Sequence, residues 1–226
     1  MLITSDQEKK QQIPVMFSWP LKLIASVISY VFHPLFIPLY VTYYIAFINP
    51  EFFTGLTKVA KLYVLVWVFI NMFFFPAMSV LLLKGVGFID SVFLRTQKDR
   101  IIPYIAANLF YFWMFLVFHH NMQIPLIITS FVLGVFLTSS IALIINIYFK
   151  ISMHAMGMGG ATGIMLIILY YTNYASGITV PMMVTLLLTG IVCTSRMIVS
   201  DHSQKEIYTG FITGVLFQFI AASYIL

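Results

Sequence analysis

The residues with the clearest chemical potential lie near the carboxyl end of the chain, in the order Ser195-Arg196, five residues, His202, three residues and Glu206. His202 and Glu206 are four positions apart, so on a helix they share one face. A carboxylate so placed accepts the proton of one imidazole nitrogen and leaves the other nitrogen as a nucleophile. Arg196 adds a planar guanidinium that matches phosphate oxygens. These residue types favour phosphoryl transfer over the ordinary interpretation of this segment, a solvated loop at a membrane boundary.

A second cluster lies in the segment KISMHAMGMGG, where Ser152 and His154 precede a glycine-rich stretch. The N–H groups at the start of a helix favour an anion, and a serine hydroxyl can add a donor. His154 would then be placed to protonate a leaving alkoxide as a general acid. Taken alone, this spacing is better explained by a capping serine beside a chance histidine, and its value comes from lying on the same side as the first cluster described.

A third group of polar residues comes earlier in the chain and consists of Arg95, Lys98 and Arg100, shortly before Pro103. As a functional group, these cations would form a clamp on phosphate. The alternative is a stop-transfer group of charges at the boundary of a membrane span, and the sequence leaves both interpretations open.

The elements that must position these residues are membrane helices. The chain has 226 residues, of which 61% are hydrophobic and 8% charged, against about 25% charged residues in soluble proteins. This composition excludes a soluble domain, and it excludes disorder, which needs low hydrophobicity and high charge. We predict an all-α, polytopic transmembrane helix bundle of six to seven spans, with a polar tail at 1–18 and a single transmembrane domain at 19–226.

The apolar stretches set the predicted spans, since a crossing helix needs roughly 20 apolar residues. They run approximately over 20–48, 60–83, 101–120, 124–149, 157–174, 178–199 and 206–226. The first contains Pro34 and Pro38, which predict a kink or a re-entrant break. Glycines at the start of the fifth predict close helix packing.

Two spans separate each polar cluster from the next, so all three are expected on one side of the membrane. If the amino terminus shares that side, every Lys and Arg except Lys58 and Lys61 falls there as well. The positive-inside rule then predicts a cytoplasmic site face, and we expect a multi-pass protein of a bacterial inner membrane. The net charge of +5 is explained by these loops and an anion site, so no nucleic-acid partner is expected.

These motifs resemble those of the type 2 phosphatidic acid phosphatase superfamily, the membrane lipid phosphate phosphatases. That family carries Lys-x6-Arg-Pro, Pro-Ser-Gly-His and Ser-Arg-x5-His-x3-Asp. The segment from Ser195 to Glu206 matches the third motif with Glu in place of Asp, and Ser152 and His154 match the second without its Pro and Gly.

The first motif departs further from the family pattern. Aligned on Pro103, Arg95 takes the place of the Lys, and Ile102 stands where Arg is expected. Lys98 and Arg100 are the cations that could compensate. The resemblance covers residues 95–214, about half of the chain.

The resemblance implies a metal-independent mechanism through a phosphohistidine. His202 would attack phosphorus, Glu206 would orient it, and His154 would protonate the departing lipid alcohol and then activate water. The residues implied in phosphate binding are Arg196, Ser152, Ser195, Arg95, Lys98 and Arg100. No cofactor is implied, and the sequence has no cluster of carboxylates of the kind that holds magnesium.

Other functions are weighed against this one. Membrane prenyl- and phosphatidyl-transferases need paired aspartate-rich motifs, which four scattered Asp residues do not supply. Two alternatives stay open, a small transporter and a degenerate relative that binds phospholipid without hydrolysing it. Among substrates, phosphatidate, phosphatidylglycerophosphate, an isoprenyl pyrophosphate and a lipid A phosphate all stay open.

Overall fold

A computed structural model describes residues 17–94, 96–173, 176–200 and 202–226. Within these ranges the chain is helical and contains no strand. Six helices are long and apolar enough to cross a membrane. They are α3 (Lys58–Gly85), α4 (Gln97–His119), α5 (Leu126–Tyr148), α6 (Met153–Tyr171), α7 (Ser176–Val199) and α8 (Gln204–Ile225). The predicted all-α polytopic membrane bundle is therefore confirmed, with six long helices.

The first apolar stretch is divided into two short helices, α1 (Trp19–Val31) and α2 (Ile37–Ile48). Between them, Pro34 disfavours helical geometry at His33 and supplies no N–H of its own. The chain is interrupted where the sequence predicted it, and each piece is too short to cross a bilayer alone. Of the predicted polar tail at 1–18, residues 1–16 lie outside the described residues.

Helix α8 packs closely on α6 through glycines of both helices. A Cβ atom at Gly214 would lie 2.2 Å from the Met156 carbonyl oxygen, and one at Gly159 would lie 2.2 Å from the Phe211 carbonyl oxygen. Only glycine allows two backbones to approach this closely. The predicted packing role of the glycine-rich stretch is therefore confirmed at Gly159.

Helices α4, α6 and α8 begin at the same end of the bundle, because one long helix separates each from the next. Each start is capped by a side chain. Thr96 and Asp99 form a reciprocal capping box at α4, Ser152 caps α6, and Ser203 and Glu206 form a second capping box at α8. Three positive helix termini therefore face the same end of the molecule.

Candidate functional site

The three polar clusters contact one another at this end of the bundle. Arg100 Nη1 donates a hydrogen bond to the carbonyl oxygen of Ile151 at 2.8 Å, which joins the first cluster to the second. The backbone N–H of Ser152 donates to the carbonyl oxygen of Glu206 at 3.3 Å, which joins the second to the third. Segments about fifty residues apart in the chain thus meet in a single site.

His202 and Glu206 form a buried pair at the start of α8. Imidazole Nδ1 lies 3.0 Å from Glu206 Oε2, and the two residues are 8% and 5% exposed. The same carboxylate oxygen accepts the backbone N–H of Ser203 at 2.9 Å, and Ser203 Oγ accepts the N–H of Glu206 in return. The capping box therefore fixes the carboxylate, and the carboxylate fixes the imidazole with Nε2 as its remaining reactive nitrogen.

Burial lowers the pKa of His202 below its ordinary value of 6.5, although the hydrogen bond and the charge of Glu206 act in the opposite direction. The imidazole is consequently uncharged at neutral pH. A neutral imidazole with a free nitrogen lone pair is the form that acts as a nucleophile.

A cavity of about 770 Å³ adjoins this pair. Its lining collects basic side chains from four segments that are widely separated in the sequence. They are His33, Arg100, Lys150, His154, Arg196 and His202. Tyr30, Leu81 and Phe93 also line it and are exposed on the outer surface of the bundle, so the cavity reaches the surface among apolar side chains.

The two arginines bring positive charge to the wall of the cavity. Arg100 is buried and donates through Nε to the Leu94 carbonyl oxygen at 3.0 Å, besides its bond to Ile151. Arg196 has a buried Nε without any hydrogen-bond partner. Neither guanidinium forms an ion pair with a carboxylate of the described residues. Two such cations on one cavity wall attract an anion with several acceptor oxygens.

His154 lies in the first turn of α6, buried on the cavity wall. Its Nε2 is 3.0 Å from the carbonyl oxygen of Ser29. Because a carbonyl only accepts, Nε2 carries the proton and Nδ1 is the atom available for proton exchange. Arg196 is also close enough for its positive charge to act on His154.

Two residues of the cavity were not assigned a role from the sequence, His33 and Lys150. The ring of His33 meets the ring of His154 edge to face, with 5.4 Å between centroids, and its Nδ1 accepts the N–H of Leu35. Lys150 lies two residues before Ser152, on the cavity lining. The sequence feature that could have identified His33 is a histidine beside a proline within an apolar stretch. The feature that could have identified Lys150 is its place in the second cluster.

Three of the residues predicted to bind phosphate, Ser152, Ser195 and Lys98, lie outside the cavity lining. The hydroxyl of Ser152 accepts the Ala155 N–H as a helix cap. Ser195 Oγ donates to the Ile191 carbonyl oxygen and faces a groove between α1 and α7. Lys98 is exposed and outside the cavity lining, and Arg95 lies outside the described residues.

The arrangement combines a neutral imidazole nucleophile, a second imidazole and an anion-attracting wall in one cavity. In the described part of the chain, no group of three or more His, Cys, Asp or Glu side chains is placed to hold a metal ion. The chain matches no protein-family model, no curated protein and no solved structure.

Proposed function

We propose that the protein is an integral-membrane phosphatase that removes phosphate from a lipid phosphate or pyrophosphate through a phosphohistidine. The observation that carries the proposal is the His202–Glu206 pair beside a cavity lined by Arg100, Arg196 and His154. The order of the motifs, which resembles that of the type 2 phosphatidic acid phosphatases, supports the same reaction.

In the first step, the lone pair of His202 Nε2 attacks phosphorus and the bond from phosphorus to the lipid oxygen breaks. His154, protonated on Nδ1 while Nε2–H is held by Ser29, gives its proton to the leaving alkoxide. Arg100 and Arg196 hold the phosphoryl oxygens as negative charge builds on them.

In the second step, water attacks the phosphorus of the phosphohistidine, and His154 accepts the proton of that water. The bond between phosphorus and nitrogen breaks, its electron pair returns to His202 Nε2, and inorganic phosphate leaves. Throughout both steps the Glu206 carboxylate stabilises the charge that develops on the His202 ring.

The apolar mouth of the cavity favours a lipid as the substrate. Leu81 and Phe93 line the cavity and are also exposed on the outer surface of a bundle whose long helices are apolar. A phosphate between the two arginines would leave its hydrocarbon chains to pass between such side chains into the bilayer. A small soluble phosphate ester has no hydrocarbon chain, so this apolar opening would not favour its binding.

Phosphate release by the purified protein in detergent tests the proposal. The substrates are phosphatidate, phosphatidylglycerophosphate and an isoprenyl pyrophosphate, each with excess EDTA. We expect release from at least one of them, and a loss of about a thousandfold or more in His202→Ala. The matched control is His120→Ala, because His120 is an exposed histidine at the opposite end of α4.

Trapping the intermediate makes the test specific for the mechanism. With the isoprenyl pyrophosphate, whose phosphate leaving group departs without a general acid, His154→Ala is expected to accumulate an acid-labile, base-stable phosphoprotein, whereas His202→Ala forms none. Absence of release from every lipid by the wild-type protein, with binding of those lipids retained, would overturn the phosphatase in favour of a phospholipid-binding protein.

We infer that the site faces the cytoplasm of a bacterial cell. The proposal is supported by the loops between the six long helices, because Lys84, Lys98, Lys150 and Lys205 belong to the site end and only Lys58 and Lys61 to the other. Residues 20–48 form two short helices and not one long span. The number of long helices therefore does not fix the side on which the amino-terminal tail lies, and the lysines of that tail do not contribute to this inference.

A further inference from the structure

The turn between α1 and α2 places a histidine on the wall of the cavity. His33 is half-buried, lines the cavity and directly precedes Pro34. Its backbone carbonyl oxygen accepts the N–H of Phe36 at 2.8 Å, which closes the turn. The turn lies against the start of α6, where a Cβ atom at Gly157 would be 3.4 Å from Ile37 Cγ1 and 3.6 Å from Pro34 Cα. The imidazole of His33 is therefore carried by a backbone segment that packs on α6.

One imidazole nitrogen of His33 is used by the turn itself. Nδ1 lies 3.4 Å from the backbone nitrogen of Leu35 and accepts its N–H. In a neutral imidazole the other nitrogen then carries the proton, so Nε2 is a donor. Nε2–H donates to no acceptor of the described residues, and Nε2 is not among their buried polar atoms without a partner. The ring thus presents a donor that a ligand in the cavity can reach.

The neighbours of His33 are side chains of the proposed phosphate site. Its ring meets that of His154 with 5.4 Å between centroids. The positive charge of Arg196 acts on all three imidazoles that line the cavity, so the guanidinium lies near each of them. Donors to two oxygens of one phosphate stand about 4–7 Å apart, because each hydrogen bond is about 2.8 Å long. The separation of the two rings falls within this range, so a phosphate beside His154 is within reach of His33.

The hydrogen bond that His154 already makes leaves no orienting role for His33. Nε2–H of His154 is held by the Ser29 carbonyl oxygen, which fixes the protonation of that ring without His33. A histidine in an apolar bundle whose donor lacks a protein partner is explained by a ligand that accepts from it. An oxyanion fits this position, because it is the class of ligand that the neighbouring Arg196 attracts.

We propose that His33 is a third histidine of the phosphate site, whose Nε2–H donates a hydrogen bond to a phosphoryl oxygen of the bound lipid phosphate. The identity of this ligand rests on the proposed function. As negative charge builds on the phosphoryl oxygens, His33 stabilises it together with Arg100 and Arg196. The break at Pro34 is then part of the site, although it lies outside the range 95–214 that resembles the lipid phosphate phosphatases.

Two substitutions separate the donor of His33 from the turn that carries it. In His33→Asn the side-chain carbonyl still accepts the N–H of Leu35, as asparagine does in an Asx turn, but no group replaces Nε2. His33→Gln has a longer side chain and returns a donor close to the place of Nε2. We expect His33→Asn to bind phosphate about tenfold more weakly, and His33→Gln to recover part of the affinity. His120→Asn, at an exposed histidine of the opposite end, is the control.

Binding is measured on the full-length protein in detergent with two probes that are not turned over, hexadecylphosphonate and inorganic phosphate. Both carry phosphoryl oxygens and only the first has a hydrocarbon chain, so a loss of the same size for both places the hydrogen bond on the phosphate. The chain has five histidines, and labelling them with ¹⁵N gives a second measurement. The Nε2–H signal that is missing from His33→Asn should shift downfield when either probe binds, which a purely structural role of His33 would not cause.

The outcomes distinguish the role of His33 from the proposed reaction. Unchanged affinity of His33→Asn for both probes, or a loss confined to hexadecylphosphonate, would overturn the role of His33, and the phosphatase would stand if lipid phosphates are still hydrolysed. The expected losses in a protein that releases no phosphate from any lipid would overturn the phosphatase and leave His33 as a phosphate ligand. If His33→Asn does not fold, the ¹⁵N signal of the wild-type protein, assigned by its absence from His33→Gln, carries the test.

Discussion

The backbone N–H of Ser152 donates a hydrogen bond to the backbone carbonyl oxygen of Glu206, so the starts of α6 and α8 are joined directly at the site. The bond depends on glycine beneath it, because a Cβ atom at Gly210 would lie 2.8 Å from the Ser152 carbonyl oxygen. One turn on, Gly214 makes a still closer approach to α6. The relative position of His154 and His202 is therefore set by how closely these two helices pack.

Replacing Gly214 by alanine should separate the two helices. The new methyl group would lie 2.2 Å from the Met156 carbonyl oxygen and 2.7 Å from the Gly160 nitrogen, and backbone atoms cannot rotate away as a side chain would. We expect a loss of about 1–3 kcal/mol of unfolding free energy and a larger loss of phosphate release. Thermal unfolding in detergent measures the change in stability.

Gly190→Ala is the matched control for this prediction. It places the same methyl group in a membrane helix where nothing lies within 4 Å, and alanine is the better helix former. Its melting temperature should be unchanged or higher. A Gly214→Ala protein as stable and active as this control would contradict the packing role of Gly214.

The meeting of the three clusters could be predicted from the sequence, because it depends only on counting apolar stretches and on which side each charged junction falls. The roles of individual side chains could not, since they depend on the rotation of each helix about its axis. Ser195 and Arg196 are neighbours in the chain, yet Ser195 faces the groove between α1 and α7 and Arg196 faces the cavity.

Other features of the site depend on contacts between distant residues, which no local sequence pattern reveals. His33 belongs to the site because the break at Pro34 brings it against His154, and spacing alone did not connect residues so far apart in the chain. The buried side chain of Gln218 has room only because Gly134 and Gly163, on two other helices, carry no side chain against it. Glu206 was predicted to orient His202, but its capping bond with Ser203 was not part of that prediction.

Replacing Arg196 and replacing Arg100 should have different effects on the stability of the protein. Arg196 has an unpartnered Nε, so Arg196→Gln removes a half-buried cation at little cost in protein hydrogen bonds. We expect an unchanged or higher melting temperature and a loss of about a hundredfold in kcat/KM. Arg100→Gln also removes the bonds to Leu94 and Ile151, so stability and kcat/KM should fall together.

Lys58→Gln is the control for the arginine variants, because it removes an exposed cation at the opposite end of the bundle. It should change neither measurement. An Arg196→Gln protein that keeps its kcat/KM would show that this guanidinium does not bind phosphate, whatever happens to its stability.

The proposed orientation can be tested by labelling single cysteines in intact cells. In a Cys193→Ser background, Met122→Cys places a thiol on a fully exposed position between α4 and α5, and Val86→Cys places one on an exposed position at the site end. A membrane-impermeant maleimide should label the first from outside and the second only after lysis. The reverse pattern would place the site outside the cytoplasm.

The substitution Glu206→Gln separates the effect of Glu206 on His202 from its role as a helix cap. Glutamine still accepts the Ser203 N–H and preserves the capping box, so thermal stability should change little. It removes the charge that stabilises the His202 imidazolium, and kcat should fall by about a hundredfold or more.

The pH dependence of kcat/KM provides a second measurement on the same variant. Activity requires neutral His202, so it is lost as the pH falls through the pKa of this residue. Burial lowers that pKa below 6.5 in the wild-type protein, while the hydrogen bond and charge of Glu206 raise it. The acid limb should therefore lie below pH 6.5 in the wild-type protein and at still lower pH in Glu206→Gln. An acid limb at the same pH in both proteins would mean that the carboxylate only caps the helix and does not act on the nucleophile.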